Sequence, residues 1–404
     1  MAWTLIHIID WALWLFLAGS VAYVCFFAIV SVFPHWHRKT VTSGEPSYSR
    51  FLVLFPAYKE DAVVCHSVES FLQQDYPQQY YQVAVISDNM QADTNARLSS
   101  LPITLLQPSF KKSSKAKALQ FAIQYFSSLQ SAASQEEAVL SFTHVVILDA
   151  DNVAGHDFLR QLNIECQKGY DAIQCHRTAK NSNNHIAALD GVSEEINNTL
   201  FRKAHNIIGL SSALIGSGMC FNYQWFSQHV SCLNSAVEDR ELEALLMQQG
   251  IFIKYADKLL VMDEKVCSHD NFQRQRLRWM TGQLQALLSM LPYLPTAFLK
   301  GNINYIDKTI QQMLIPRSIL LVLIPVIALL ITFVSITWSV KWWLMLICFS
   351  VALFIATPSK LRTRSLLSSL IALPRLVWRM LSNVGHMNRH NTDFIHTSHG
   401  TENK

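Results

Sequence analysis

The hydrophobic pattern divides the chain into long apolar segments near both ends and shorter apolar runs between them. Trp11–Phe33 contains no charged residue and is long enough to cross ~30 Å of hydrocarbon as a helix. Ser318–Val340 and Trp342–Ser359 are two further charge-free stretches, separated only by Lys341, and this spacing predicts a transmembrane helical hairpin. We therefore expect about three transmembrane helices.

A cleaved signal peptide is the competing interpretation of the N-terminal segment. No Lys or Arg precedes the apolar run, and the run exceeds a normal signal core, so a membrane span is favoured. Basic residues at 35–39, Arg317 and Lys360 flank the three stretches. By the positive-inside rule, residues 35–317 and the C-terminal tail are expected in the cytoplasm, with the chain integral to the plasma (inner) membrane.

Between the apolar ends, short β-type runs alternate with helical patterns. Phe51–Phe55, Tyr81–Ile86 and His144–Leu148 are apolar runs that predict buried strands of an α/β domain with a mostly parallel central sheet. Ligands of such sheets bind beyond the carboxyl ends of the strands. The predicted division of the chain is a transmembrane helix at 1–40, a cytoplasmic domain at 41–290, an interfacial helix at 291–317, the hairpin at 318–360 and an amphipathic, basic tail at 361–404.

Composition narrows the class of protein. Half of the 404 residues are hydrophobic and 15% are charged, which is apolar for a soluble chain. The net charge of +4 is too small to indicate a nucleic-acid partner. The eight cysteines form no CxxC pair, so we expect reduced, structural thiols.

Acidic residues follow two of the predicted strands. Asp149 and Asp151 come directly after the third strand, where two carboxylates can hold a hard divalent cation; an ordinary polar turn is the alternative. Asp88 ends the second strand and could accept hydrogen bonds from a base or ribose, or simply form an Asx turn.

Three other sites are candidates for substrate contact. Glu238 and Asp239 open a predicted helix, where a carboxylate is favoured without any function, although Asp239 could also act as a general base. Lys115 begins a helix after a basic, serine-rich segment and could meet a phosphate or face solvent. Gly218 belongs to a Gly-Ser-Gly loop at which a ligand could approach the backbone.

The sequence Gln275-x-x-Arg278-Trp279 offers a hydrogen-bond donor, a fixed cation and a flat apolar ring. Arginine binds phosphate oxygens in a forked geometry, and an indole covers a sugar ring or an apolar neighbour. The motif is therefore typical of a site for a phosphate and a sugar.

Taken in this order, the motifs resemble the membrane-bound family 2 glycosyltransferases, which include cellulose, chitin and hyaluronan synthases. The resemblance covers roughly residues 50–285 and implies a GT-A fold and an inverting transfer from a nucleotide-sugar donor. It assigns Asp88 and Lys115 to the nucleoside, Asp149, Gln275 and Arg278 to the diphosphate, Asp151 to Mg²⁺ or Mn²⁺, Asp239 to the base, Trp279 to the acceptor sugar, and Glu238 and Gly218 to the substrate site.

The resemblance implies a lipid-linked or polysaccharide acceptor in cell-envelope or exopolysaccharide synthesis. A processive synthase that acts with partner subunits for export is one alternative, and a membrane scaffold that binds nucleotide-sugar without turnover is another. Ser87-Asp88-Asn89 replaces the commoner paired aspartates, and Val237 stands where threonine usually precedes Glu-Asp. The nucleotide base and the sugar therefore stay open.

Overall fold

The computed structural model describes residues 2–34, 47–132, 141–181, 185–235, 237–265 and 269–362. The basic cluster at 35–39 and the predicted tail beyond residue 362 lie outside this part of the chain. The helices are α1 (Ala2–Val30), α2 (Val64–Phe71), α3 (Ala92–Ser99), α4 (Lys115–Ala132), α5 (Phe158–Cys166), α6 (His185–Asn197), α7 (His205–Ile207), α8 (Tyr223–His229), α9 (Glu238–Gln248), α10 (His269–Met290), α11 (Leu294–Leu299), α12 (Ile303–Met313), α13 (Arg317–Val334) and α14 (Ile336–Ala356).

Eight strands form one sheet in the order β3-β2-β1-β4-β7-β6-β8-β5. The strands are β1 (Phe51–Tyr58), β2 (Tyr81–Asp88), β3 (Thr104–Leu106), β4 (His144–Ile147), β5 (Val153–Ala154), β6 (Ala172–Ala179), β7 (Met219–Asn222) and β8 (Ile253–Asp263). Four neighbouring pairs are parallel and three, on either side of β7 and at β5, are antiparallel. Because β1, β2 and β4 run in parallel, their carboxyl ends meet at one edge.

Apolar clusters cover both faces of the sheet. One cluster joins the sheet to α4, α8, α9 and α12, and the other joins it to α2, α3 and α5. The near-continuous apolar runs of β1 and β2 follow from this arrangement, since side chains on both faces of these strands are buried. The prediction of an α/β domain with a central sheet is thus confirmed, although the sheet is more mixed than expected.

A third apolar cluster unites α1, α13 and α14 with α6 and the π-helical segment that follows it, Asn198–Ala204. Among the described residues, α1, α13 and α14 are long and apolar enough to cross a membrane, as predicted. Ile196 and Leu200 belong to this cluster, so α6 and the π-helical segment connect the sheet domain to the apolar helices.

The predicted connection of the hairpin at Lys341 is wrong. The chain turns at Ser335, whose side chain accepts a hydrogen bond from the Trp338 backbone N–H and so caps α14. Lys341 lies inside α14 and pairs with Asp10 of α1, which also accepts a hydrogen bond from Trp342 Nε1 at 2.7 Å. Since the pair neutralises both charges, Lys341 need not mark a helix end.

Two short helices, α11 and α12, occupy the region where one interfacial helix is predicted, and Gly301 separates them. The polarity of α12 is inverted: Lys308 and Gln312 are buried, whereas Ile303 and Ile310 are exposed. An apolar outer face of this kind suits a helix at a membrane surface.

Candidate active site

Asp88 is buried at the carboxyl end of β2, and its carboxylate accepts a hydrogen bond from the Asn89 side chain at 2.8 Å. The residues that follow β1 and β2, Lys59 and Asn89, both have a φ of 56°. Non-glycine residues seldom adopt this backbone conformation, and they do so most often where a site demands it. The chain therefore turns sharply away from the sheet here and leaves Asp88 at its edge.

Asp149 and Asp151 follow β4 and differ in their surroundings. Asp149 forms an ion pair with Lys115 Nζ, and its other oxygen lies 3.9 Å from Arg177 Nη1. Asp151 is buried and accepts hydrogen bonds from Asn152 Nδ2 at 3.1 Å and from the Glu264 backbone N–H at 2.7 Å. Asp149 is thus held by cations, whereas Asp151 is held by neutral donors.

A buried ionic network beneath these aspartates was not predicted from the sequence. Arg177 Nε lies 2.8 Å from Glu194 Oε1 and 3.4 Å from Asp263 Oδ2, and Lys265 pairs with both of these acids. Burial raises the pKa of Asp263 to about 7, while Arg177 and Lys265 lower the pKa of Glu194. The available signal was the Gln174–Arg177 stretch, in which polar residues interrupt a buried strand.

Glu238 and Asp239 form the first turn of α9. The Lys115 Nζ atom lies 3.7 Å from Glu238 Oε1, so one lysine serves both Glu238 and Asp149. Burial raises the pKa of Glu238 to about 7; Lys115 opposes the rise and Asp239 adds to it. Asp239 is partly exposed and accepts a hydrogen bond from the Arg240 backbone N–H at 2.9 Å, which leaves its other oxygen toward Gly216.

The Gly-Ser-Gly loop bends the chain toward these acids. Gly216 and Gly218 have φ values of 82° and 61°, and the Gly216 carbonyl accepts a hydrogen bond from Lys115 Nζ at 2.6 Å. The buried Gln174 side chain donates to the Ser217 and Gly218 carbonyls and accepts from the Ile215 N–H. Gly218 itself faces the protein interior: a Cβ there would lie 3.3 Å from Val261 Cγ2. Gly218 is therefore not among the residues that line the cavity, whereas Gly216 is.

Helix α10 carries Gln275, Arg278 and Trp279, and all three line the cavity. The Oε1 atom of Gln275 is buried and has no hydrogen-bond partner among the described residues. Gly282, one turn further on, lets α10 approach α9: a Cβ at this position would lie 2.5 Å from Val237 Cγ1. This close approach fixes α10 against the residue that precedes Glu238.

A cavity of about 840 Å³ unites the site. It brings together every residue that the sequence assigned to it except Gly218. These residues are Asp88, Lys115, Asp149, Asp151, Glu238, Asp239, Gln275, Arg278 and Trp279. Arg177 and Asp263 also line the cavity, which continues to Arg317, Leu321 and Leu353 at the start of α13 and the end of α14. One chamber therefore connects the acidic strand ends to the apolar helices.

The order of these motifs has a counterpart in known families. The domain described as Glycosyl transferase family group 2 matches residues 144–357, which is more than half of the chain, and the domain described as Glycosyl transferase family 2 matches residues 52–228. The chain is a family 2 glycosyltransferase. No curated protein matches this glycosyltransferase.

Solved structures are similar to this chain at low sequence identity. The mannosyltransferase PcManGT from Pyrobaculum calidifontis, in complex with GDP-Man and Mn²⁺, is 15% identical with a TM-score of 0.52, over 84% of this chain and 94% of that one. Residues 1–349 of S. aureus TarS with UDP-GlcNAc are 11% identical with a TM-score of 0.41, over 84% and 89% of the two chains. The likeness to PcManGT supports the predicted GT-A fold.

Proposed function

We propose that this glycosyltransferase moves a sugar, with inversion, from a nucleotide-sugar donor to a lipid-linked or polysaccharide acceptor at the cytoplasmic face of a membrane. The observation that carries the proposal is the single cavity in which Asp88, Asp149 and Asp239 meet the Arg278–Trp279 pair. These residues come from four separate parts of the chain, and the two family domains together cover all of them. Asp88 lies in the domain at 52–228, Asp149 lies in both domains, and the other three lie in the domain at 144–357.

The transfer is one displacement at the anomeric carbon. The acceptor hydroxyl oxygen forms the new bond, the bond from that carbon to the diphosphate breaks, and the diphosphate leaves with the bonding electrons. Asp239 takes the hydroxyl proton, because it is partly exposed in the cavity and its second oxygen lies near Gly216, which also lines the cavity. Lys115, Gln275 and Arg278 hold the diphosphate, and Asp88 holds the nucleoside.

The residues present fit a divalent cation. Mg²⁺ and Mn²⁺ are commonly bound by one or two carboxylates together with substrate phosphates, so a site with few protein ligands is adequate. Asp151 would hold the ion, since its buried carboxylate has no cationic side chain within 4.0 Å among the described residues. A bound ion would neutralise charge that develops on the departing diphosphate. The ion in the PcManGT complex is Mn²⁺, which agrees with this proposal.

The membrane assignment rests on the apolar helices. Three candidate spans among the described residues, with the outward apolar face of α12 beside them, support an enzyme integral to the plasma membrane with its catalytic domain in the cytoplasm. Three helices give little material for a polymer channel, because a pore is lined by several helices whose backbone groups are satisfied. Single transfer is therefore favoured over processive synthesis by this chain without partner subunits.

A panel of UDP-, GDP- and dTDP-sugars tests the proposal. Purified full-length protein in native-like membranes should release nucleoside diphosphate from at least one donor with added Mg²⁺ or Mn²⁺. Excess EDTA should abolish release, and the metal should restore it. Turnover that persists unchanged in EDTA would contradict the role of Asp151, and no release from any donor would contradict the proposed function itself.

A further inference from the structure

The cavity has a second polar end, next to the apolar helices, that the proposed chemistry does not use. Three arginines surround it: Arg202, Arg276 and Arg317, all of which line the cavity. Each one is fixed to the same stretch of chain, α6 and the π-helical segment after it. Arg276 donates to Asp190 Oδ1 at 2.7 Å, Arg317 donates to Asn197 Oδ1 at 2.6 Å, and Arg202 donates to Asn198 Oδ1 at 2.7 Å. We name this group the arginine end.

The side-chain directions on α10 separate the arginine end from the diphosphate site. Residues two apart on an α-helix point about 200° apart, so Arg276 and Arg278 leave α10 on different sides. Arg276 turns toward α6, and its guanidinium carbon lies 4.8 Å from the centre of the Trp279 ring. Trp279 therefore stands between the two ends of the cavity.

Two of these arginines have no anionic partner in direct contact among the described residues. Among the described residues, neither Arg202 nor Arg317 has a carboxylate within 4.0 Å, and both donate hydrogen bonds to carbonyl and amide oxygens. The Nη1 atom of Arg317 is buried and has no partner there at all. Burial outweighs the nearby Glu194 and lowers the pKa of Arg202. Burying a guanidinium group without an anion costs free energy, and a bound anion removes that penalty.

Arg177, in the same cavity, provides the contrast. It pairs with Glu194 and Asp263, and these carboxylates raise its pKa against the effect of burial. The protein thus balances an arginine when its role is structural. To Arg202 and Arg317 it supplies amides and carbonyls instead, as expected where a ligand brings the negative charge, whereas Arg276 already pairs with Asp190.

The surroundings of the arginine end identify the kind of anion. Arg317 is the first residue of α13, and Leu321, one turn later, lines the same cavity. Leu353 and Phe354 of α14 and Val24 of α1 complete an apolar wall that belongs to the candidate membrane spans. A neutral, water-soluble glycan would bring no negative charge to the buried cations and no hydrocarbon to the apolar side chains. A phosphate attached to a hydrocarbon chain matches both.

We infer that the acceptor is a membrane lipid whose phosphate binds Arg202, Arg276 and Arg317, whose chains lie against α13 and α14, and whose headgroup hydroxyl is directed past Trp279 to Asp239. This inference rests on the proposed function and names its acceptor class. The reacting step is the displacement described above, with the headgroup hydroxyl as the nucleophile, and its proton passes to Asp239.

The product distinguishes this acceptor from the others. Membranes that contain the full-length enzyme are incubated with the radiolabelled form of the donor that released nucleotide in the panel, and are then extracted with organic solvent and passed over an anion exchanger. We expect the label in an extractable lipid that binds the exchanger. Label in a neutral lipid, or in a glycan that stays in the aqueous phase, would overturn the inference and leave the proposed glycosyl transfer intact.

Arg317→Gln tests the binding site directly. Loss of a charge-assisted hydrogen bond to phosphate should raise the membrane acceptor content needed for half-maximal transfer about 10- to 100-fold. Donor hydrolysis to water should stay within about twofold of wild type, since the diphosphate site is untouched. Arg160→Gln is the matched control, because Arg160 is exposed on α5 and does not line the cavity.

Arg317→Lys keeps the test decisive if the glutamine variant does not fold. Lysine retains the charge but lacks the forked geometry of a guanidinium group. The acceptor content needed for half-maximal transfer should therefore rise several-fold, while donor hydrolysis is preserved. The role of the arginine end as a phosphate site would be overturned if every Arg317 variant that folds needed the same acceptor content for half-maximal transfer as Arg160→Gln. Failure of the proposed function would look different, because then no variant, and not the wild type either, would release nucleotide.

Discussion

The two ends of the cavity solve the problem of buried charge in opposite ways. At the acidic end, Lys115 is shared between Asp149 and Glu238, and Arg177 is enclosed by Glu194 and Asp263. At the arginine end, Arg202 and Arg317 have only neutral partners among the described residues. Asp149 and Glu238 are thus paired, although Asp88, Asp151 and Asp239 have no cationic side chain within 4.0 Å among the described residues. At the arginine end Arg276 pairs with Asp190, but Arg202 and Arg317 lack an anion in the described part of the chain.

The comparison shows at which end of the cavity a bound ligand would stabilise the folded protein. Groups that are already paired hold the site in shape before any substrate arrives, and such preorganisation is the main source of electrostatic catalysis. Groups that lack a counter-charge bind an anion more strongly, because the anion relieves an existing penalty. We therefore expect rate effects from changes at the acidic end and acceptor-affinity effects from changes at the arginine end.

Asp239→Asn should give the largest effect and should separate the two ends most clearly. Loss of a general base slows transfer about 10²- to 10⁴-fold. Binding of nucleoside diphosphate, followed by calorimetry, and the acceptor content for half-maximal transfer should both stay near wild type. Asp257→Asn, at an exposed position of β8, is the control. Transfer at the wild-type rate in Asp239→Asn would remove Asp239 from the role of base.

Gly282→Ala tests the close contact between α10 and the start of α9. Its new Cβ would lie 2.5 Å from Val237 Cγ1, so α10 or the start of α9 must move. A displacement of this kind should slow transfer about 10- to 100-fold, even though alanine favours a helix more than glycine does. The rate is measured at saturating donor.

Two further variants show whether the contact with Val237 causes that loss of activity. Gly19→Ala is the control, because no atom lies within 4 Å of a Cβ at this helical glycine. Adding Val237→Ala to Gly282→Ala removes the colliding methyl groups and should recover most of the activity. A double variant as slow as Gly282→Ala would show that the contact with Val237 does not explain the loss.

Glu238→Gln should give the smallest effect, a change in the pH dependence of stability. The native carboxyl keeps its proton up to about pH 7, whereas an unfolded glutamate releases it near its usual pKa of 4.5. The unfolded state therefore gains from ionisation as the pH rises through this window, and wild-type stability falls. Glutamine cannot ionise and lacks this loss.

The measurement is the melting temperature of both proteins between pH 5 and pH 8. The difference, Glu238→Gln minus wild type, should become more positive as the pH rises. A difference that is constant over the whole range would mean that the pKa of Glu238 is not raised in the folded protein.

Much of the acidic end could be predicted from the sequence, because each part of it is local. Asp88 and Asp149 directly follow apolar runs, and parallel strands carry such residues to one edge whatever the details of packing. Glu238 begins a helix for reasons that its first turn contains. The three long apolar helices follow from hydropathy and length in the same way.

Tertiary structure decided what depends on distant partners. The hairpin turn moved from Lys341 to Ser335 because Asp10, more than 300 residues earlier in the chain, neutralises the lysine. Gly218 faces Val261 instead of the cavity, which a loop motif cannot reveal. The arginine end joins α6, α10 and α13, and no spacing in the sequence marks it. Local patterns specify elements and their ends, but the balance of buried charge is a property of the assembled fold.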